Sequence, residues 1–438
     1  MKPHRPFTQP SDHLAHLLRA LRHRNYRLFF AGQGVSLIGT WMTRVATSWL
    51  VYRLSGSILL LGVVGFAGQI PAFFVAPLGG VLVDRGNRRQ ILVATQIVLM
   101  LQAFALAGLA LVGVITVWQI LLLSIVQGVA NAFDIPARQA FVIEMVEDPA
   151  DLGNAIALNS SIFNGARLIG PPIAGALIAV VGEGWCFLID GISYLAVIVA
   201  LLAMQFVPRP RAARPRSLLQ QLTAGMRYAY RSAPIKSVLL LVALVSLMGM
   251  PYAVLMPVVA REILHGTAHT FGWLMGASGL GAVAGSLYLA SRRSVAGLGG
   301  VIAWATGWFG IGLIAFGCSR ALWLSLPLML MVGFGMLAQM AASNTVLQTI
   351  VEEDKRGLVM SFYAMAFMGM APFGSLLAGT LAHQVGVANT LVIGGVACGL
   401  GALAFLRELP ELQRILRAVE TKVRGPIASV SLAAPPEE

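Results

Sequence analysis

The sequence predicts an all-α polytopic membrane protein whose twelve transmembrane helices form two pseudo-symmetric six-helix bundles. Three observations carry that prediction. Of 438 residues, 57% are hydrophobic and only 11% are charged, where a soluble chain carries about a quarter charged residues. Twelve apolar runs are each long enough to cross a bilayer, which takes about 20 residues. Four glycines recur at one offset: Gly153, Gly170, Gly175 and Gly182 each stand 204 residues before Gly357, Gly374, Gly379 and Gly386.

The first six helices are expected to begin near residues 27, 58, 90, 115, 153 and 185, and the second six near 235, 271, 299, 321, 357 and 387. This divides the chain into an amino-terminal segment (1–26), a first bundle (27–206), a linker (207–234), a second bundle (235–406) and a tail (407–438). In residues 11–25, Leu14, Leu17, Leu18 and Leu21 share one helical face among Arg and His, the pattern of a short interfacial helix. No apolar leader with a small-residue cleavage site precedes the first span, which is expected to serve as an uncleaved anchor. In the linker Leu218, Leu222, Met226 and Tyr230 recur every four residues among six arginines, so a surface helix is expected there. The tail is charged, ends in Pro435-Pro436-Glu437-Glu438, and reads as largely disordered.

A net charge of +13 could point to nucleic acid, but its placement points elsewhere. All but five of the 31 Lys/Arg fall on one side of the threaded spans. Arg53, Arg261 and Arg320 lie on the other side, and Arg44 and Arg167 lie within spans. That skew is the positive-inside pattern, and it puts both termini in the cytoplasm. Membrane lipid is therefore an expected partner and nucleic acid is not; a small amphiphilic substrate and a monomeric state are also expected. Cys186, Cys318 and Cys398 share no ligand-like spacing and read as small core residues, so no metal is expected. His265 and His269, one turn apart, read as a hydrated outer loop. With four lysines and no Gly-x4-Gly-Lys-Ser/Thr loop, the chain has no means of hydrolysing ATP itself. It contains no His-Glu-x-x-His or Gly-x-Ser-x-Gly either, so no enzyme activity is expected.

Ionisable residues inside a bilayer are costly and usually face a cavity or a partner. Arg44 lies in the outer half of span one, Arg167 near mid-depth in span five, and Asp190 a few residues into span six. Two readings stay open. The three form an anion-attracting cavity with Asp190 as a proton-carrying or pairing carboxylate, or Arg167 and Asp190 are structural partners while Arg44 snorkels outward. No ionisable side chain is expected within a span of the second half. Gln33, Ser36, Asn131, Tyr252, Gln339 and Asn344 are the polar uncharged side chains on spans that would line a central path. Met248, Met250, Met256, Met336 and Phe334 either add adaptable apolar surface to it or simply fill the core.

The turn Gly80-Val81-Leu82-Val83-Asp84-Arg85-Gly86-Asn87-Arg88-Arg89 is pinned between the runs Ile58 to Val83 and Ile91 to Val112. It resembles the loop between spans two and three of the major facilitator superfamily, Gly-x-Leu-x-Asp-Arg-x-Gly-Arg-Arg, with Asn87 in place of the second glycine. Span four ends in Gln127-Gly128, Asn131, Asp134, Pro136, Ala137 and Arg138, and Asp134 and Arg138 can pair at i,i+4. The resemblance implies a cytoplasmic gate of Asp84, Arg85, Arg88, Asp134 and Arg138, meeting the helix end near Gly357 to Phe362. Ordinary surface charge at span ends is the other reading. Span five holds Gly165, Ala166, Arg167, Gly170, Pro171, Pro172 and Gly175. This is similar to the Gly-Pro antiporter motif of the superfamily's exporters with one extra residue before the last glycine, and is also what a close packing seam requires. The superfamily's span-four arginine, three residues before the Gln-Gly pair, is Ser124 here. Coupling schemes that rest on that arginine do not carry over.

Further matching stretches are Gly39-Thr40-Trp41-Met42, Trp49-Leu50-Val51-Tyr52, Asn154-Ala155 with Leu158, Pro251-Tyr252 with Leu255-Met256-Pro257, and Gly276 through Ala282. Together they resemble the bacterial exporter branch that includes the enterobactin exporter and macrolide-efflux-type drug antiporters, over about residues 25 to 406. The resemblance implies parallel six-helix repeats, alternating access, and proton-driven export of a drug-like or siderophore-like molecule with no cofactor beyond the proton gradient. An importer or facilitator, or a non-transporting sensor or assembly protein on the same fold, are the alternatives.

Overall fold

The computed structural model describes residues 18–205, 228, 232–292, 294–353 and 355–428, with the helical side chains of 76–81, 84, 85 and 422–428 left aside. Of the interfacial helix expected within 11–25, residues 11–17 lie outside the described residues and Arg19–Arg22 form a single 3-10 turn; Leu218, Leu222, Met226 and Tyr230 of the expected linker helix also lie outside the described residues. Among the described residues twelve long helical rods follow: α1 Arg24–Ser55, α2 Ile58–Arg85, α3 Arg88–Val112, α4 Val117–Met145, α5 Leu152–Val181 and α6 Glu183–Ala203. The second set is α7 Ala233–Ile263, α8 Ala268–Ala290, α9 Leu298–Cys318, α10 Leu322–Ile350, α11 Arg356–Val385 and α12 Val387–Phe405. Among the described residues, eleven helices are long and apolar enough to cross a membrane. The exception, α1, is a 32-residue helix diluted by Arg24, Arg27, Arg44 and Arg53.

The starts and stops have local causes. Asn87, the residue that departs from the superfamily turn, caps α3: its side chain accepts from the backbone N–H groups of Arg89 at 3.1 Å and Gln90 at 3.4 Å. Gly86 precedes it, where a Cβ would lie 2.8 Å from the Leu82 carbonyl oxygen. Thr116 and Gln119 form a reciprocal capping box at the start of α4. Gly182 and Gly386, members of the glycine repeat, end α5 and α11 with φ of +90° and +84°. That left-handed geometry is one glycine adopts without strain. Trp118 and Trp323, each the second residue of its helix (α4 and α10), are 72% and 76% exposed, as aromatic residues at a membrane interface are.

The helices cluster into two compact units. The first is Met1–Gly56, Ala67–Ala213 and Thr267–Gly276; the second is Ser57–Phe66, Arg214–Gly266 and Ala277–Glu438. Within the first, α1 packs on α5 and α6, and α3 on α4 and α6. Within the second, α9 packs on α10 and α12. A core of Tyr26, Phe29, Leu92, Phe141 and Met145 closes one end of the first unit. The second unit differs in one respect: π-helical turns interrupt α7 at Val245–Gly249 and Val259–Ile263, and α11 at Met365–Gly369.

The tail departs from expectation. Leu409–Ala428 is a helix, α13. Leu412 and Leu416 on its apolar stripe are fully buried against Ile235, Leu298 and Val301, and Ser294 donates to Glu420 at 2.9 Å. The high charge of this stretch suggests disorder, but Leu409, Leu412, Leu416 and Val419 repeat at helical spacing, and that amphipathic pattern prevails. Of the cysteines, Cys186 and Cys398 are buried and Cys318 is exposed, all as free thiols.

Candidate functional site

The first unit carries a chain of buried polar groups built on α1, α3 and α4. Asp134, fully buried on α4, pairs with Arg138 one turn on. It also accepts from Thr95 Oγ1 at 3.0 Å and Gln96 Nε2 at 2.8 Å, both on α3. Arg138 donates onward to Gln33 Oε1 on α1 at 3.2 Å. Three partners on two helices, α3 and α4, thus satisfy one carboxylate, which is what a buried charge requires to be tolerated. Asn131 lies half-buried one turn before Arg138's partner.

Arg88, the helix-start arginine of the turn, donates to Glu144 Oε1 at 2.8 Å and to the Ala140 carbonyl at 3.0 Å. Arg89 donates to the Leu202 carbonyl at the end of α6, at 2.8 Å. The side chains of Asp84 and Arg85 lie outside the described residues. Sequence reasoning overlooked Glu144, Thr95 and Gln96. A polar pair inside the apolar run of α3 was the available signal for the last two.

A second cluster was not anticipated at all. Asp151, fully buried just before α5, is held by Arg19, by Arg22 at 2.7 Å and by His23 Nε2 at 2.9 Å. Arg19 also donates to the Ala150 carbonyl at 2.7 Å, Ala20 N–H to Asn154 Oδ1 at 2.9 Å, and Tyr26 O–H to the Ala155 carbonyl at 2.7 Å. The segment preceding α1 is therefore strapped to the start of α5. At the opposite end of α1, Arg53 makes a bidentate pair with Glu183 at 2.8 and 3.1 Å.

Between those ends lie the three intramembrane ionisable residues. Asp190 is 1% exposed on α6 and packs against Gly39 of α1, where a Cβ would lie 2.7 Å from its Oδ1. Ser193 donates to the Asp190 carbonyl at 2.7 Å and sits 3.5 Å from Oδ1, while Oδ2 has no hydrogen-bond partner among the described residues. No cation pairs with it among the described residues, so the Arg167–Asp190 partnership is not what the fold builds. Arg167 instead places its guanidinium 5.8 Å from the Trp41 ring centre, and Arg44 places its own 4.7 Å from the same ring. Trp41 is further met edge-on by Phe163 at 5.8 Å.

The glycines of α5 divide by role. A Cβ at Gly170 would lie 2.7 Å from Trp41 Cβ, and one at Gly175 would lie 2.6 Å from the Ala268 carbonyl oxygen and 3.0 Å from Gly272 Cα. Pro171 contributes its carbonyl oxygen to the Gly272 contact, whereas Gly165 meets nothing within 4 Å. In the second unit Tyr252 is buried with its hydroxyl 2.7 Å from Ser278 Oγ. Gln339 is fully buried, donates to Ser343 at 3.3 Å and keeps its Oε1 unpartnered. Asn344 accepts from Gln348 at 2.6 Å. Met256 and Met336 are core residues, and Met248 and Met250 are half-buried.

Comparison with known proteins agrees with the architecture. The chain is 24% identical over 376 residues to the staphyloferrin A transporter of Staphylococcus aureus, covering 85% of this chain and 93% of that one. It is 26% identical over 385 residues to the multidrug efflux pump Tap of Mycolicibacterium fortuitum, with the same coverage of 85% and 93%. The crystal structure of a D-xylose–proton symporter superposes with a TM-score of 0.69 at 15% identity, covering 88% of this chain and 98% of that one, and so shares the fold. A family profile described as "Transmembrane secretion effector" matches residues 16–434. The chain therefore belongs to the transmembrane secretion effector family of the major facilitator superfamily.

Proposed function

We propose that the protein exports a small amphiphilic molecule, drug-like or siderophore-like, across the bacterial cytoplasmic membrane by alternating access, in exchange for protons. Family membership and the efflux relatives support export, and the Lys/Arg skew supports cytoplasmic termini. One observation carries the coupling: Asp190 is a buried intramembrane carboxylate with which, among the described residues, no cation pairs and whose Oδ2 accepts no hydrogen bond. Buried charge of that kind is expensive, and a proton is the smallest species that can cancel it. On this reading Asp190 takes up and releases the proton. Asp134 and Arg138, with Asp84, Arg85 and Arg88, hold the cytoplasmic gate, and the chain works as a monomer. Asp134 is already engaged by Arg138, Thr95 and Gln96, which leaves Asp190 as the carboxylate for exchange.

Everted vesicles from cells overproducing the chain provide the test, with a compound panel supplied outside. Accumulation that collapses when the pH gradient is dissipated supports proton-linked export. Accumulation that persists without a gradient, or occurs only in right-side-out vesicles, overturns it.

A further inference from the structure

Two polar atoms in the seam between α1 and α6 are left over by the fold. Neither Asp190 Oδ2 nor Thr43 Oγ1 has a hydrogen-bond partner among the described residues, and both residues are buried. They belong to facing stripes: Gly39 and Thr43 are one turn apart on α1, and Asp190 and Ser193 are three residues apart on α6. With no side chain at Gly39, Asp190 Oδ1 and Ser193 Oγ come within 2.7 and 2.8 Å of where its Cβ would stand. Thr43 lies beside the same carboxylate.

Ser193 shows what kind of species these oxygens address. A hydroxyl has one proton, and that of Ser193 is given to the Asp190 carbonyl at 2.7 Å. Toward Oδ1, 3.5 Å away and beyond the roughly 2.5–3.0 Å of an O–H···O bond, Ser193 therefore turns a lone pair. Oxygens facing each other in that way repel, and a positive species between them reverses the sign. The donor set is a carboxylate and two hydroxyls, which suits a hard cation. Charge then selects among hard cations. One carboxylate supplies one negative charge, so a divalent ion would leave the buried seam as charged as before, with the opposite sign. A monovalent ion leaves it neutral, and the close approach of α6 to α1 at Gly39 selects the smaller Na+ over K+. Around the carboxylate stand Cys186 and Tyr194 of α6 and Thr43 of α1. The charged pair Asp134–Arg138 of α4 faces Tyr194, and Arg44 of α1 stands over the Trp41 ring.

We propose that the α1–α6 seam binds one Na+ ion, held by Asp190, Thr43 and Ser193, in competition with a proton on Asp190. This rests on the reading of Asp190 as the exchanging carboxylate for its physiological meaning, but the binding it asserts needs no gradient.

The experiment titrates the full chain, purified in detergent, with sodium chloride at constant ionic strength against choline chloride, with potassium and calcium chloride as comparisons. Binding of radioactive sodium and the melting temperature are read together. Sodium should bind saturably, one ion per chain, and raise the melting temperature, as a ligand of the folded state does; the other three cations should not. Affinity should fall as the pH is lowered, because a protonated carboxyl holds no cation. Asp190→Asn should abolish the sodium effect. Thr43→Val, which keeps the shape and drops the hydroxyl, should weaken binding at least tenfold. Thr43→Val and Ser193→Ala, checked by melting temperature without sodium, give the reading should Asp190→Asn fail to fold. An equal response to all four salts, sodium binding that survives Asp190→Asn, or an affinity indifferent to both hydroxyl substitutions would overturn the proposal. Sodium binding without gradient-linked flux in vesicles would sink the export reading and leave this site standing; proton-linked flux by a protein that binds no sodium would do the reverse.

Discussion

Gly175 of α5 and Gly272 of α8 meet backbone to backbone: a Cβ on Gly272 would lie 3.1 Å from Gly175 Cα and 2.6 Å from the Pro171 carbonyl oxygen. In the other unit Gly379 of α11 and Gly62 of α2 make the same kind of contact, with a Cβ on Gly379 2.8 Å from Gly62 Cα. Gly175 and Gly379 are equivalent members of the sequence repeat, so each half uses the same glycine for the same purpose. Backbone has nowhere to retreat, and overpacking of this kind costs about 1–3 kcal/mol. Gly175→Ala and Gly379→Ala should each lower the melting temperature of the detergent-solubilised protein, whereas Gly165→Ala, in open space, should leave it unchanged.

Asp134→Asn removes the carboxylate that Arg138, Thr95 and Gln96 share. Breaking a buried pair from one side costs about 3–5 kcal/mol because the remaining charge is stranded, and Arg138 is partly exposed, so the lower end of that range is expected. Combining it with Arg138→Gln should restore part of the loss. A double-mutant cycle on thermal stability that returns strict additivity would show the two to be uncoupled.

Asp190→Asn keeps the size of the side chain and its contact with Gly39. Melting temperature and substrate counterflow should survive, since neither needs net proton movement, while accumulation driven by a pH gradient should fall at least tenfold. A variant that still concentrates substrate on a pH gradient removes Asp190 from the coupling role.

Leu416→Ala opens a cavity under α13, where Leu412 and Leu416 are fully buried. A loss of about 2–4 kcal/mol is expected, read as a lower melting temperature and earlier proteolysis of the carboxyl-terminal helix. Arg53→Gln should do far less: the pair with Glu183 is half exposed on the arginine side, and such bridges contribute about 1 kcal/mol or less.

Much of the fold was legible because a bilayer imposes few solutions on an apolar chain. The starts of α2 and α12 fell on Ile58 and Val387, and the other helices began within a few residues of expectation. The Asp134–Arg138 pair was legible too, since four residues is a local distance. What spacing could not supply was non-local. Asp151 collects Arg19, Arg22 and His23 from well over 100 positions away, and no periodicity marks an aspartate for that. Opposite charge suggests the Arg167–Asp190 pair as one of two readings, but spacing says nothing of the seam between α1 and α6 in which Asp190 packs or of the indole beside Arg167. The tail was misread because its charge was weighed above its leucine spacing.

The π-helical turn Met365–Gly369 in α11 has no counterpart in α5. Such a turn holds one residue more than the coil needs, so whatever precedes it is rotated by about 100° relative to whatever follows. The glycine repeat keeps equal counts through both helices, and equal counts across an unequal winding mean unequal bearings. Matched to each other through Gly374 and Gly379, the two helices aim their first turns in different directions, so the stretch Arg356–Ala364 presents a different set of side chains from its sequence-equivalent at the start of α5. The repeat is a twin in arithmetic and a sibling in azimuth.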